Sequence, residues 1–161
     1  MTIEIDADEW SFDTEIESTP TWGLSDYEML QLVSRGAISD VWQVRDSASG
    51  EAFALKQLRE EWAEDPTACQ ILKNELEVAA AVQSPYVVRV WETPVSFERP
   101  AVLMEWLGEN TLARHLDVVF QMPVRESLWI ARQCALGLKH LIDAGFVHGD
   151  IKPENIALLP G

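Results

Sequence analysis

Apolar positions along this chain change their spacing several times, and each change marks a new element. Short alternating or continuous apolar runs bounded by turn residues predict strands near Tyr27 to Ser34, Val41 to Asp46, Ala52 to Gln57, Val87 to Trp91 and Ala101 to Met104. A long helix, from about Pro66 to Gln83, falls between the third and fourth strands. The turn-like Asp46-Ser47-Ala48-Ser49-Gly50 separates the second strand from the third and makes them a hairpin. Downstream the period is helical: a short helix near Thr111 to Val119, then a long one from about Val124 to Ala144 with Gly145 as its C-cap. These elements predict an α+β protein whose five strands form one antiparallel sheet, with no internal repeat.

The last helix is unusual. Leu128, Trp129, Ile130, Cys134, Ala135, Leu136, Leu138, Leu141 and Ile142 are too many apolar positions for a single stripe, so this helix expects neighbours on several sides.

Composition narrows the class. At 161 residues, with 47% hydrophobic residues and seven tryptophans, the chain is long and apolar enough for one domain or two small lobes with a sizeable core. The formal net charge of −15 is concentrated at one end: residues 1–26 hold eight acids and no Lys or Arg, leaving −7 on the other 135 residues. That segment reads as a disordered or loosely docked acidic extension, although Trp10, Phe12 and Trp22 interrupt it. No basic stripe is present to neutralise phosphates, so nucleic acid is not an expected partner. There is no secretory leader and no apolar run of membrane-spanning length, which predicts a cytoplasmic chain without membrane contact. Cys69 and Cys134 have neither metal-ligand nor disulfide spacing and are expected to be buried, reduced thiols.

The candidate chemistry lies near the end, in His148-Gly149-Asp150-Ile151-Lys152-Pro153-Glu154-Asn155. An Asp that can orient an acceptor hydroxyl, a Lys that can neutralise a transferring phosphoryl group and an Asn that can hold a metal ion supply most of what phosphoryl transfer requires. The order Asp-x-Lys-x-x-Asn resembles the catalytic loop of eukaryotic-type serine/threonine protein kinases, and further segments resemble that family in the same order. Phe53-Ala54-Leu55-Lys56 is similar to the strand whose Ala lies against adenine and whose Lys reaches the α- and β-phosphates. Glu75, ten residues before Pro85, holds the place of the helical Glu that pairs with that Lys, whereas Glu77 faces elsewhere on the helix. Val33-Ser34-Arg35-Gly36-Ala37-Ile38-Ser39-Asp40-Val41 aligns with the glycine-rich loop, and Val41 lies fifteen residues before Lys56. Only Gly36 of three glycines is kept. Glycine allows backbone N–H groups to approach phosphate closely and to adopt positive φ, so Ser34 and Ser39 predict weaker clamping. Ala101-Val102-Leu103-Met104 followed by Glu105-Trp106-Leu107-Gly108 resembles the kinase hinge, with Met104 as gatekeeper and the backbone of Glu105 and Leu107 facing adenine.

The resemblance implies a protein kinase-like fold: residues 27–107 as the N-lobe and hinge, and residues 108–161 as part of an α-helical C-lobe that ends before the Asp-Phe-Gly magnesium segment. It further implies ATP bound by Val33, Ser34, Gly36, Ser39, Val41, Ala54, Lys56, Glu75, Met104, Glu105 and Leu107, Mg²⁺ held by Asn155, and transfer to a protein Ser/Thr hydroxyl by Asp150 and Lys152. An incomplete domain of this kind is expected to turn over little or not at all. Gly149 stands where regulated kinases carry an Arg that meets a phosphorylated activation loop, which places this sequence outside that mode of control. The triplet His148-Gly149-Asp150 also occurs in small-molecule phosphotransferases of related fold, but those lack a Lys in the place of Lys152. The depleted glycine loop favours a different class, a non-catalytic nucleotide-binding or scaffold module. The five polar residues Lys56, Glu75, Asp150, Lys152 and Asn155 at family spacing oppose it.

Overall fold

The structure is a computed structural model and describes residues 27–91, 99–119 and 121–159. The acidic extension therefore lies outside the described residues. Five strands form one antiparallel sheet in the order β1-β2-β3-β5-β4: β1 (Tyr27–Arg35), β2 (Ser39–Asp46), β3 (Ala52–Leu58), β4 (Val90–Trp91) and β5 (Ala101–Glu105). Helix α1 (Pro66–Ala81) lies between β3 and β4 in sequence, and α2 (Leu112–Val118) and α3 (Val124–Asp143) follow the sheet. The fourth strand is shorter than expected. Of Val87 to Trp91 only the last two residues pair, with Met104 and Leu103.

Strand alternation explains how the sheet serves two purposes. On β3, Phe53 and Leu55 turn to one face and join Val44, Ala101 and Leu103 in a buried cluster, flanked by Tyr27, Trp42 and Trp91. The Phe53 ring meets Tyr27 and Trp91 edge-on, with centroids 6.0 and 5.5 Å away. Leu58, two steps from Lys56 on the alternate face, packs with Val102 and with Ala68 and Leu72 of α1. Among the described residues, one face thus carries these packed side chains and the other carries the helix.

Helix α1 starts where its sequence says it should. Asp65 caps it, its carboxylate accepting the Ala68 N–H at 2.8 Å, and Pro66 occupies the first turn, where a missing N–H costs nothing. Helix α3 ends one residue earlier than expected, with Ala144 as cap and Gly145 just beyond it at φ +86°. Gly145 N–H donates to Ile142 O and Phe146 N–H to Leu141 O, both at 2.9 Å, the paired pattern that a left-handed glycine makes possible.

One expectation about burial is corrected. Cys69 and Cys134 are both half-buried, Cys69 at the edge of the cluster that Ala68 and Leu72 form with the sheet. On α3 only Gly137 and Leu141 are buried, while Leu128 and Ile142 are each 65% exposed. The helix docks along one line. Gly137 passes so close to Tyr86 that a Cβ there would meet its carbonyl oxygen at 3.0 Å, and His140 Nδ1 lies 2.6 Å from Ser84 Oγ.

Candidate active site

Two clusters, one on each half of the molecule, hold the polar residues singled out in the sequence. On the sheet, Lys56 Nζ lies 2.5 Å from Glu75 Oε1. The sheet register places Lys56 opposite Val41 on one side and Val102 on the other, and Ala54 opposite Met104. Ala54, Lys56, Val41, Met104 and Val102 therefore share one face. Glu75 reaches it because it lies three residues after the buried Leu72 on α1, on the turn that faces the sheet. Glu77 is exposed, as expected. Both charged side chains are about one-third exposed or less, so the pair is shielded without being sealed in.

The loop between β1 and β2 is shaped differently from the expectation. Gly36 does not adopt positive φ, and no described residue other than glycine does. Its glycine is required because the loop folds on itself: Gly36 N–H donates to Ser39 O at 2.8 Å, and a Cβ would meet that same oxygen at 2.8 Å. Ser34 and Ser39 consequently cost no backbone strain. Ser34 is exposed, while Ser39 is buried at the start of β2. Val33 is the extra residue of a bulge, because Leu32 pairs with Trp42 and Ser34 with Val41, and the bulge adds twist to the end of β1. Arg59, not singled out in the sequence, approaches the tip: its Nη1 lies 3.4 Å from the carbonyls of Gly36 and Ala37, and its N–H donates to Ile38 O at 3.0 Å.

After β5 the chain leaves the sheet through Glu105, Trp106 and Leu107. Glu105 N–H donates to Arg89 O at 2.9 Å, and Gly108, at φ +79°, turns the chain toward α2. The next residue, Glu109, pairs with Arg114 and accepts Gln31 Nε2 at 2.6 Å. Arg114 first, then Gln31, holds the Glu109 carboxyl below its ordinary range.

The second cluster is the loop after α3. Asp150 Oδ2 lies 2.8 Å from Lys152 Nζ and accepts Asn155 Nδ2 at 3.0 Å; the same Nδ2 donates to Asp150 O at 2.9 Å. The Lys152 hydrogen bond holds the Asp150 carboxyl below its ordinary range, with Asn155 adding to the effect, and Asp150 in turn raises Lys152. Both acceptors of Asn155 are oxygens, so its nitrogen must face Asp150 and its Oδ1 must face away. The loop is pinned to the start of α2: Leu112 N–H donates to Ile156 O and Leu158 N–H to Asn110 O, each at 2.8 Å, around a bridge between Thr111 and Ala157. Gly149 adopts φ +73°, a backbone reason for glycine there that the sequence does not reveal.

The donor set suits a phosphate-bound cation only in part. Asn155 Oδ1 is one hard oxygen of the kind magnesium takes, and among the described residues no group of three or more His, Cys, Asp or Glu could hold a metal by itself. No helix among them is long and apolar enough to cross a membrane.

The protein kinase domain family matches residues 27–159, and the chain belongs to that family. It is 32% identical over 137 residues to mitogen-activated protein kinase kinase 7 of Arabidopsis thaliana, an alignment covering 83% of this chain and 43% of that protein. A probable serine/threonine-protein kinase of Streptomyces coelicolor is 29% identical over 136 residues, covering 82% and 20%. A serine/threonine-protein kinase of Arabidopsis thaliana is 26% identical over 153 residues, covering 91% and 32%. The chain thus spans less than half the length of these curated relatives.

Proposed function

We propose that this chain supplies the ATP-binding sheet and the acceptor loop of a serine/threonine protein kinase, transferring the terminal phosphoryl group of ATP to protein hydroxyls. The observation that carries the reading is the pairing of Lys56 with Glu75 on the sheet face that also presents Ala54, Val41 and Met104. Glu75 restrains a flexible ammonium so that Lys56 meets the α- and β-phosphates from a fixed position. Ala54, Val33, Val41 and Met104 line the adenine side. The Glu105 and Leu107 backbone faces the base edge, and the loop around Ser34, Gly36 and Ser39 covers the phosphates.

On the other half, Asp150 is ionised at neutral pH, since Lys152 and Asn155 stabilise its charged form. Such a carboxylate is a weak base and a good hydrogen-bond acceptor. Its part is to orient the acceptor hydroxyl and take the proton late, when the oxygen has become acidic through bond formation. Among the described residues both side-chain contacts fall on Oδ2, so Oδ1 is the oxygen offered to the hydroxyl. Lys152 places positive charge where the transferred group carries negative charge. Magnesium ion, when bound, neutralises the phosphates, and Asn155 Oδ1 is the ligand this chain offers it.

A single amide oxygen is a poor magnesium site, so these 161 residues alone are expected to transfer phosphate from labelled ATP to a generic Ser/Thr substrate only at background. A chimaera carrying the rest of a relative's catalytic domain is expected to transfer, and Asp150→Asn in that chimaera to cut the rate by about 10²–10⁴-fold. Robust transfer by the 161-residue chain would show that its ligands suffice. A chimaera indifferent to Asp150→Asn would remove Asp150 from the mechanism, and one that binds ATP yet never transfers would support the non-catalytic nucleotide-binding module.

A further inference from the structure

Gln31 on β1 reaches beyond its own hairpin. Its Nε2 donates to Gln43 Oε1 at 3.0 Å on β2 and also to Glu109 Oε1 at 2.6 Å, across 78 residues of sequence. The other carboxylate oxygen of Glu109 receives Arg114 Nη1 from the first turn of α2. One carboxylate therefore joins the first strand of the sheet to the first helix after it. It sits directly after Gly108, the turn at which the chain leaves the hinge. On the strand side, Gln31 is two residues from Val33, where β1 bulges toward the loop.

We propose that Glu109 is a positioning residue that straps β1 to α2 across the mouth of the nucleotide cleft, holding the Val33 end of β1 over the bound base and slowing nucleotide release. The proposal rests on the reading of this sheet as an ATP site. The chemistry is specific to a carboxylate. Its two oxygens accept from two different donors at once, and its charge strengthens both bonds. Because Glu109 and Arg114 are partly exposed, the strap is adjustable, and salt weakens its ionic limb more than its amide limb.

The test is stopped-flow release of fluorescent ATP and adenosine analogues from the 161-residue chain. Glu109→Ala and Gln31→Leu are each expected to speed release of both ligands about two- to tenfold, the range for losing one or two partly exposed polar contacts. Their double variant is expected to release no faster than Glu109→Ala alone, because both remove the same link. Lys56→Met weakens ATP and spares adenosine, which separates phosphate contacts from the mouth of the cleft. Unchanged release rates in both strap variants, additive effects, or a lowered Tm with unchanged release would overturn the strap and leave the ATP site standing. If the unaltered chain binds neither ligand, the ATP site itself falls and the strap with it. Should Glu109→Ala not fold, Glu109→Gln and the exposed Gln31→Leu carry the same measurement.

Discussion

The two polar clusters are built in opposite ways. Lys56 and Glu75 stand on a strand and a helix that pack against each other through Leu58, Ala68, Leu72 and Val102, so their meeting is fixed by tertiary burial. Asp150, Lys152 and Asn155 lie within six residues of one another on an exposed loop, and their meeting is fixed by local hydrogen bonds and one short bridge to the start of α2. The sheet half contains nearly all the buried apolar residues. In the helical half Leu141 is buried, while Leu128, Ile142 and Val147 are 65%, 65% and 86% exposed. On the function proposed above, a Lys that holds phosphate keeps one position through many turnovers, which suits a packed scaffold, and a loop that meets the acceptor admits a protein segment, which suits an open one.

Cutting the packed half should break the comparison most sharply. Leu55 is 0% exposed at the centre of the sheet, and Leu55→Ala is expected to cost about 2–5 kcal/mol, whereas Leu128→Ala on α3 should fall within about 0.5 kcal/mol of the parent. Urea unfolding of both variants measures this. Equal losses would mean that the exposed face of α3 is covered in solution.

Next in size is Gly149→Ala. At φ +73° an L-residue is strained by about 1–2 kcal/mol, and nothing crowds the position, so the cost comes from the backbone alone. The strain should concentrate in the loop. The Asn155 side-chain NMR signal is expected to shift while the signals of Lys56 and its strand stay in place; a shift in both halves would show that the clusters are coupled.

Gly137→Leu probes the contact between α3 and the segment before β4. A Cβ there meets Tyr86 O at 3.0 Å and Tyr86 Cβ at 3.3 Å, so overpacking of about 1–3 kcal/mol outweighs roughly 1 kcal/mol of regained helix propensity. A net loss of about 1 kcal/mol in urea is expected, accompanied by loss of the His140 contact with Ser84. A more stable variant would mean that α3 slides freely along this seam.

Much of this was legible in the sequence because it depends on local pattern. Strand and helix positions followed from apolar period, Gly145 from an end signal, and the candidates Lys56, Glu75, Asp150, Lys152 and Asn155 from spacing that resembles a known family, whereas the Asp65 cap was not singled out. What stayed hidden depends on meetings between distant segments. Gln31 and Glu109, Arg59 and the Gly36 carbonyl, and Ser84 and His140 carry no periodic signal, since nothing local to one partner specifies the other. One constraint on Gly36 stayed hidden for a related reason. Its glycine serves an internal contact with Ser39, which appears only once the loop is closed.

The smallest expected effect concerns pH, and it tests whether the exposed cluster is held by its own charges. The Asp150 carboxyl lies below the model-peptide value of 3.8, chiefly through Lys152, so its contribution to loop order is present above that value and is lost as pH falls through the lowered folded value. Lys152 is raised above 10.5 by Asp150, so its contribution is present below 10.5 and is lost as pH rises through the raised value. Between those limits the pair stays doubly charged. The Asn155 side-chain signal, whose nitrogen donates to Asp150, should therefore be flat from about pH 5 to pH 9 and move only at the extremes. Because both side chains are exposed to solvent, screening by salt should reduce the end-point changes. A change in the middle of that range would show that something other than the Asp150–Lys152 ion pair holds the loop in shape.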